Sequence, residues 1–338
     1  MTHVRIAILG ATGLVGRTML SLLEERGFGD DDPVLLASER SDSRVITFRG
    51  RAVPVHPVSA EGFAGVGLAL FGSANAVSQQ WAPIARGAGA AVVDNSSAFR
   101  YDDAVPLVVP EVNGALLDAH PTLVANPNCS TIAIALALAP LARAAHPERV
   151  VVSTYQSVSG GGSQALEELE HGIRQGLDGA PPPRAGGLAP FAFNVVPQID
   201  RFESNGYSRE EMKVVWETRK ILGLPDLPVT ATAVRVPVRV GHAAAVNVVF
   251  DRAVSPDEAR RLWSGFPGLR VVDDPAAGVF PTPLASEGID AVLVGRARAD
   301  VSHPRGLDFF VASDNLRKGA ALNAVQIAER LAGGGDRR

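Results

Sequence analysis

The sequence predicts an α/β protein with two domains, an N-terminal domain on a doubly wound parallel sheet and an α+β domain on a mixed sheet. Three observations support this prediction. Short apolar strands alternate with helical patterns over residues 4–94, as in parallel sheets. In residues 229–250, apolar and polar residues instead alternate, as they do in antiparallel strands. The length of 338 residues also exceeds the roughly 250–300 residues at which single cores stop growing.

The first strand, residues 4–9, is followed at once by a glycine turn and an amphipathic helix. Gly10, Gly13 and Gly16 are spaced G-x-x-G-x-x-G, a variant of the dinucleotide fingerprint. Gly10 would make the turn, Gly13 would let backbone N–H groups approach a pyrophosphate, and Gly16 would allow close packing of helix on strand. A plain tight turn is the alternative. We expect the turn to bind a dinucleotide through Gly10, Thr12, Gly13, Leu14, Val15 and Gly16.

The second strand, residues 33–37, ends in a short polar segment that bears on the choice of cofactor. An acidic residue here would hold a ribose 2′-hydroxyl, whereas an arginine accommodates a 2′-phosphate. Both Glu39 and Arg40 are present, and Arg40 is flanked by Ser38 and Ser41. We therefore expect Ser38, Arg40 and Ser41 to favour NADP over NAD, although a solvated charge pair on a loop would look the same.

Two further strands, residues 67–71 and 91–94, each end in small polar residues. A helical pattern over 78–88 separates them. Ligands of doubly wound sheets bind at the carboxyl ends of the strands. We therefore expect Ser73, which follows the first of these strands, to contact the cofactor.

Cys129 is the only cysteine of the chain. It follows Asn126-Pro127-Asn128, a sequence typical of a turn. It precedes the apolar run 132–141, which predicts a helix. The amide groups and macrodipole of a helix N-terminus lower the pKa of a thiol and stabilise a developing oxyanion. A buried structural cysteine is the alternative, since cysteines without a disulfide are commonly buried.

The second half predicts the mixed sheet and its helices. A strand is expected over 149–156, followed by a helix with Leu166, Leu169 and Ile173 on one face, and a surface excursion rich in Pro and Gly over 178–190. Ser208 and Glu211 predict a capping box at the start of another helix.

The remainder of this half predicts more strands and one last helix. The segments 234–240 and 243–250 are expected to form two antiparallel strands that turn at Gly241-His242, and further strands are expected over 291–296 and 307–312. The final helix, with its apolar face around residues 321–327, is expected to pack on the first domain.

Composition excludes several function classes. The net charge of −4 with 46% hydrophobic and 20% charged residues is typical of a soluble globular protein and gives no reason to expect nucleic acid or an anionic membrane as a partner. His, Asp and Glu show no metal-ligand spacing, so no metal is expected. The apolar run 132–141 is too short to span a membrane, and no signal sequence precedes the first strand. We therefore expect a cytoplasmic protein.

Seven motifs are distributed in order over nearly the whole chain. They are the glycine turn 10–16, SSAFR at 96–100, PLVVPEVN at 106–113, NPNCST at 126–131, YQSVSG at 155–160, RVP at 235–237 with GH at 241–242, and SDNLRKG at 313–319. Together they resemble the motifs of the aspartate-β-semialdehyde dehydrogenase family, in the same order. The resemblance implies reduction of L-aspartyl-4-phosphate by NADPH to aspartate 4-semialdehyde and phosphate. It also implies a homodimer and a role in making lysine (through diaminopimelate), threonine, methionine and isoleucine.

The resemblance also implies roles for individual residues. Cys129 would be the nucleophile that forms a thioester, His242 the acid–base group, and Gln156 the residue that positions the thioester. Arg235 would bind the substrate carboxylate, Arg100 and Lys213 the phosphoryl group, with Glu210 and Asn128 contacting the substrate, and Ser159, Gly160 and Asn315 the cofactor. The implied domains are an NADP-binding domain of residues 1–128 with the helix 315–336, and a catalytic and dimerisation domain of residues 129–314.

Four of these residues also have a plainer interpretation. His242 would be a solvated turn residue, Arg100 a surface charge, and Lys213 with Glu210 an ordinary i,i+3 helix pair. The family commonly has polar residues where Ala243 and Ala244 stand, a difference expected to weaken hydrogen bonding around His242, and it often has Ala at Gly161.

Three other functions remain open. N-acetyl-γ-glutamyl-phosphate reductase catalyses a reaction of the same class. Its family commonly has the sequence NPGCY around the thiol, where this chain has NPNCS. A reductase of acyl-CoA thioesters and an inactive nucleotide-binding homologue are the other two.

Overall fold

The computed structural model describes residues 4–29, 31–41, 44–181 and 189–333. The chain divides into two compact units. Unit 1 consists of the residues up to Pro127 and those from Ala320 onward, and unit 2 of Asn128–Gly319.

Unit 1 is built on one seven-stranded sheet of described residues. Its strands are β1 (Ile6–Leu9), β2 (Val34–Ala37), β3 (Val45–Phe48), β4 (Arg51–Pro57), β5 (Leu68–Phe71), β6 (Ala91–Asp94) and β7 (Leu123–Ala125). Its first helices are α1 (Leu14–Glu25), α2 (Asn75–Gly87) and α3 (Pro110–Asn113). The strand order is β3-β4-β2-β1-β5-β6-β7, and only β3 runs antiparallel to its neighbour. The antiparallel β3–β4 pair was not predicted from the sequence.

In unit 2, the described residues form a six-stranded mixed sheet. Its helices are α4 (Cys129–Ala144), α5 (Ser163–Leu177), α6 (Arg209–Leu222), α7 (Pro256–Ser264) and α8 (Pro283–Ser286). Its strands are β8 (Pro147–Gln156), β9 (Val229–Arg235), β10 (His242–Phe250), β11 (Leu269–Val271), β12 (Val292–Ala299) and β13 (Gly306–Ser313), in the order β11-β12-β13-β10-β8-β9. A π-helical turn, Arg317–Ala321, then leads into the last helix, α9 (Leu322–Leu331).

The sheet of unit 1 has its switch point at β1, the position where doubly wound sheets bind ligands. The chain passes from β1 to β2 on one side and later to β5 on the other. The helix α9 packs against α1 and the sheet, and Val325 shares a buried core with Met19 and Leu22. The strand β1 is therefore paired with a parallel strand on each side. The helix α1, which follows the glycine turn, is packed against α9.

The predicted hairpin at Gly241-His242 is wrong. The strand β9 ends at Arg235, and β8 lies between β9 and β10, parallel to the first and antiparallel to the second. Pro237 has no N–H to donate, which disfavours continuation of a strand. Residues 236–241 therefore form a connection, and His242 is the first residue of a central strand, only 2% exposed, rather than a turn residue.

One face of the unit 2 sheet is covered by helices and the other is partly open. On the covered face Trp263 of α7 donates to the carbonyl of Ala137 in α4 and stacks edge-on against Phe309. On the opposite face the rings of Tyr155 and Phe310 lie 6.0 Å apart, and Tyr155 remains 39% exposed. The sheet thus presents a partly exposed aromatic pair on its uncovered side.

The capping box is confirmed, since Ser208 and Glu211 exchange both of its hydrogen bonds. Of the predicted excursion 178–190, residues 182–188 lie outside the described residues.

No helix among the described residues is long and apolar enough to cross a membrane. No group of three or more His, Cys, Asp or Glu side chains in the same part of the chain is arranged to hold a metal ion.

Candidate active site

The glycine turn of unit 1 leaves room only for backbone. Gly10 adopts φ +87°, and a Cβ there would lie 2.6 Å from the carbonyl oxygen of Gly72, while a Cβ at Gly16 would overlap the carbonyl oxygen of Gly10. Gly13 is the N-cap of α1, and no described side chain caps that helix end. The amides of the first turn, at Leu14 and Val15, are therefore available to an anionic group. This cradle fits the pyrophosphate of a dinucleotide.

The other predicted cofactor residues of unit 1 lie around this turn. The hydroxyls of Thr12 and Ser41 are 3.3 Å apart, which joins the turn to the segment after β2. Ser38 and Arg40 are exposed beside Ser41. Ser73 follows β5, where its hydroxyl is 3.1 Å from that of Ser78. The predicted cofactor residues that follow β2 and β5 therefore lie at the two strand ends next to β1, at the switch point of the sheet.

Arg100 is buried in unit 1 near the carboxyl end of β6, so it is not the plain surface charge of the alternative interpretation. It is 6% exposed and donates from Nη2 to the carbonyl of Asn95. Asp94, the last residue of β6, accepts from the hydroxyls of Ser78 and Ser96 at 2.6 Å each. Burial raises the pKa of Asp94, although those hydroxyls and Arg100 oppose the shift.

In unit 2, Cys129 is the first residue of α4 and is half-buried. The side chain of Asn128 caps the helix by accepting from the amides of Ser130 and Thr131. Glu217 of α6, fully buried, accepts the amide N–H of Asn128 at 2.6 Å. The turn that presents the thiol is therefore held both by its own cap and by a carboxylate of α6.

Glu210 joins three other predicted site residues. Its Oε1 accepts from the side-chain amides of Asn128 (2.8 Å) and Gln156 (2.9 Å), and its Oε2 pairs with Lys213 at 3.0 Å. Burial opposes ionisation of Glu210, but the Lys213 ammonium and the amide donors outweigh it and lower the pKa of Glu210 to about 2. Lys213 and Glu210 do form the i,i+3 ion pair of the plainer interpretation. The pair is not an isolated surface contact, because it belongs to this buried network.

Lys213 also pairs with Asp200 at 3.0 Å. Burial opposes its charge, yet the two carboxylates raise the pKa of Lys213 above its ordinary value. The side chain of Lys213 is 14% exposed, so a charged ammonium stands at the edge of the network.

His242 is held by Ser157, the residue after β8. The backbone N–H of Ser157 donates to Nδ1 of His242 at 3.0 Å, and the Ser157 hydroxyl lies 2.9 Å from the same nitrogen. Burial and then the charge of Arg235 lower the pKa of His242 to about 3. The hydrogen bonds to the ring come from Ser157 rather than from Ala243 or Ala244.

Arg235 lies beside this histidine at the end of β9. Its Nη1 donates to the carbonyl of Ser157 at 2.7 Å. Burial lowers the pKa of Arg235, and the charges of Glu210 and Cys129 partly offset this shift. A Cβ on Gly160 would lie 3.0 Å from Arg235 Nη1 and 3.2 Å from His242 Nε2. A side chain at position 160 would therefore crowd both the guanidinium and the imidazole.

Asn315 organises the backbone around His242. Its Oδ1 accepts from the hydroxyls of Ser157 and Ser159 and from the N–H of Gly241, and its Nδ2 donates to Ser159. Asn315 and Ser159, predicted to contact the cofactor, thus share one buried cluster with His242. The sequence interpretation missed Ser157 and Glu217. Ser157 stood inside a recognised motif, whereas a single helical glutamate gives no signal of its burial.

Comparisons with known proteins show the family to which the chain belongs. Residues 5–120 match the family model described as semialdehyde dehydrogenase, NAD binding domain, and residues 138–318 match semialdehyde dehydrogenase, dimerisation domain. The chain is 46% identical to aspartate-semialdehyde dehydrogenase of Aquifex aeolicus over 97% of both chains. It is 47% identical to that of Legionella pneumophila over 97% of this chain and 96% of the relative.

A solved structure extends the likeness to three dimensions. Aspartate semialdehyde dehydrogenase II of Vibrio cholerae, complexed with ASA, superposes with a TM-score of 0.95 at 44% identity. The match covers 99% of this chain and 100% of that one. The chain therefore belongs to the aspartate-semialdehyde dehydrogenase family, whose members are oxidoreductases of amino-acid biosynthesis with a nicotinamide dinucleotide-binding domain.

Proposed function

We propose that the protein catalyses the NADPH-dependent reductive dephosphorylation of L-aspartyl-4-phosphate to L-aspartate 4-semialdehyde and phosphate. The observation that carries this proposal is the buried network of unit 2, in which Glu210 joins Gln156, Asn128 and Lys213. This network surrounds the helix end that begins at Cys129. The product would serve the synthesis of lysine through diaminopimelate, and of threonine, methionine and isoleucine.

Cys129 is the nucleophile of the proposed reaction. Its thiolate sulfur attacks the acyl carbon, the carbonyl π pair moves to oxygen, and the pair returns as the bond to phosphate breaks. The phosphate leaves with the electrons of that bond, and a thioester remains on Cys129. A thiolate suits this step because it is a good nucleophile. Gln156, fixed by Glu210 and Thr154, positions the thioester.

The anionic groups of the substrate are matched by the cationic groups of the chain. Arg235 is directed by its bond to Ser157, and its guanidinium binds the substrate carboxylate in bidentate fashion. Lys213 binds the phosphoryl group, and the same role is proposed separately for Arg100 of unit 1. Glu210 and Asn128 contact the substrate as well.

The nicotinamide cofactor supplies the hydride when it is bound. The amides at the start of α1 would hold its pyrophosphate, with Gly10, Thr12 and Gly13 shaping the turn. Ser38, Arg40 and Ser41 would hold the adenosine 2′-phosphate, and Ser73 would line the same end of the sheet. In unit 2, Ser159, Gly160 and Asn315 would contact the cofactor.

Arg40→Ala should raise the KM for NADP about tenfold or more while it leaves the KM for NAD nearly unchanged. The reason is that an exposed guanidinium beside two serines reads only the 2′-phosphate. Initial rates with both cofactors measure the effect. Arg44→Ala, another arginine of the same region, serves as the control; equal effects of Arg40→Ala on both cofactors would contradict the assignment.

Gly160→Ala should lower kcat/KM by about 10- to 100-fold without unfolding the protein. The added methyl would lie 3.0–3.2 Å from Arg235 Nη1 and His242 Nε2, closer than ordinary packing, so one or both of these groups would have to move from the position proposed for catalysis. Steady-state kinetics and circular dichroism measure activity and folding. Gly87→Ala, where an added Cβ meets nothing within 4 Å, is the matched control. Full activity of Gly160→Ala would show that the reaction does not depend on the present positions of Arg235 and His242.

The reaction run in reverse tests the proposed function directly. Reduction of NADP should require both aspartate semialdehyde and phosphate, and omission of either should abolish the rate. N-acetylglutamate semialdehyde and malonate semialdehyde with CoA are the comparison substrates. A preference for either, or intact cofactor binding without turnover, would overturn the proposal.

We also propose that the open face of the unit 2 sheet carries a homodimer interface. The Tyr155–Phe310 pair supports this, because aromatic residues are enriched at such interfaces. The match to a dimerisation domain over residues 138–318 supports it as well.

A further inference from the structure

The ammonium of Lys213 lies between two carboxylates of unit 2. Its Nζ donates to Oε2 of Glu210 and to Oδ2 of Asp200, at 3.0 Å each. Both carboxylates are ionised near neutral pH. Burial opposes the charge of Asp200, but the N–H of Arg201 and the Lys213 ammonium outweigh it and lower the pKa of Asp200, while the pKa of Glu210 is about 2. Two negative charges therefore surround one positive charge.

This balance of charge bears on the binding of phosphate. A phosphoryl group carries about −1.5 to −2 charges near pH 7. It therefore meets a lysine whose positive charge is already more than compensated, and each neighbouring carboxylate repels it. For Lys213 to bind such a group strongly, one of its two carboxylates has to move away.

The two carboxylates are held very differently. The side chain of Glu210 is only 6% exposed, and its other oxygen accepts from Asn128 and Gln156. The side chain of Asp200 is 40% exposed, and its other oxygen accepts from the backbone N–H of Arg201, the next residue, at 2.8 Å. Loss of the partner of a buried charge is costly, whereas an exposed carboxylate is solvated by water. Asp200 is therefore the carboxylate that can give way.

We infer that Asp200 is an internal counter-ion that competes with the phosphoryl group for Lys213 and thereby weakens the binding of phosphate. The inference rests on the proposed function, because it concerns the lysine to which that proposal assigns the phosphoryl group. Without phosphate, Asp200 pairs with the ammonium. When the phosphoryl group binds, Asp200 is displaced into solvent, and it pairs with Lys213 again as phosphate leaves.

The partial exposure of the Asp200–Lys213 pair suits this exchange. Ion pairs near the surface contribute little free energy, so phosphate can replace Asp200 in each turnover, whereas a fully buried pair would be costly to open. If Asp200 instead only oriented Lys213, its removal would weaken the binding of phosphate. A competitor and a purely structural residue therefore predict changes of opposite sign.

Asp200→Asn tests this role with little effect on the fold. Asp200 has φ 68°, in the left-handed region that asparagine also tolerates, and the carbonyl oxygen of asparagine can keep the bond to the N–H of Arg201. Glu203→Gln is the matched control. It removes one negative charge from the same segment of the chain, where Glu203 pairs with Arg209 at 3.2 Å.

In the reverse reaction, we expect the KM for phosphate to fall at least about fivefold in Asp200→Asn, because one like charge near a dianion is removed. The KM for aspartate semialdehyde should not change, and Glu203→Gln should change neither constant. If the wild type turns over but the KM for phosphate in Asp200→Asn is unchanged or raised, the inference is wrong and the proposed function stands. If the wild type does not reduce NADP with aspartate semialdehyde and phosphate, the proposed function itself is rejected.

Isothermal titration calorimetry with inorganic phosphate measures binding to the resting protein without turnover. We expect Asp200→Asn to bind phosphate at least about fivefold more tightly than the wild type, and Lys213→Gln to bind it more weakly. The double variant Asp200→Asn/Lys213→Gln should show no gain over Lys213→Gln, because the effect of Asp200 acts through the ammonium. An equal gain in both backgrounds would show that Asp200 acts through the general field of the protein, and it would contradict the inference.

Discussion

Cys129→Ala should lower kcat/KM for the reverse reaction by at least about 10⁴-fold, as expected when a nucleophile is removed. The substitution deletes the sulfur that carries the acyl group and leaves the helix start intact, because Asn128 still caps the amides of Ser130 and Thr131. Alanine also has high helix propensity. The rate of NADP reduction with aspartate semialdehyde and phosphate measures the loss.

Binding of NADPH, followed by its fluorescence, should be nearly the same in Cys129→Ala and in the wild type. Cys129→Ser is the matched variant, since it keeps a hydroxyl in place of the thiol, and it should be almost as inactive because a hydroxyl is a much weaker nucleophile. Substantial activity in the alanine variant would return Cys129 to a packing role.

The free energy of unfolding should fall by up to about 5 kcal/mol through His242 alone as the pH is lowered from 6.5 to 3. The pKa of His242 is lowered from 6.5 to about 3 in the folded protein. Between these values the unfolded chain binds a proton that the folded chain does not, so stability decreases as pH falls, by about 1.4 kcal/mol per pH unit. Above pH 6.5 this contribution vanishes.

His242→Gln isolates this effect, because it lacks the titrating ring and keeps all other ionisable groups, including Glu210, whose own loss begins below pH 4.5. Urea unfolding at several pH values, followed by the fluorescence of Trp216 and Trp263 of unit 2, gives the two slopes. The wild type should lose stability more steeply than the variant between pH 6 and 4. Parallel slopes would mean that His242 is protonated in the folded protein.

Local patterns predicted the elements that short-range physics governs. The glycine spacing at Gly10, Gly13 and Gly16 implied a turn without side chains, and the structure shows that a Cβ at Gly10 or Gly16 would meet backbone. The capping box at Ser208 followed from two residues three positions apart. Asn128 and Cys129 likewise lie at the helix start that turn chemistry predicted.

The hairpin at Gly241-His242 shows where such reasoning fails. Alternation marked both flanking segments as strands, and proximity in sequence suggested that they pair, yet β8 lies between them. Pairing of strands is decided by burial of whole faces, which a local window does not contain. His242 is buried because β10 lies between β8 and β13. The predicted hairpin placed this residue in an exposed turn, so the lowering of its pKa was not predicted either.

The sequence by itself determined the class of fold, the glycine cradle, the thiol at a helix N-terminus and the family, because each depends on residues close together in the chain or on collinear motifs. Only the tertiary structure decided how the polar residues of unit 2 are connected. Glu217 accepts the backbone N–H of Asn128, next to the thiol, and the backbone N–H of Ser157 donates to Nδ1 of His242. Hydrogen bonds between residues 85 or 89 positions apart depend on the packing of α6 and β10, and no local pattern encodes that packing.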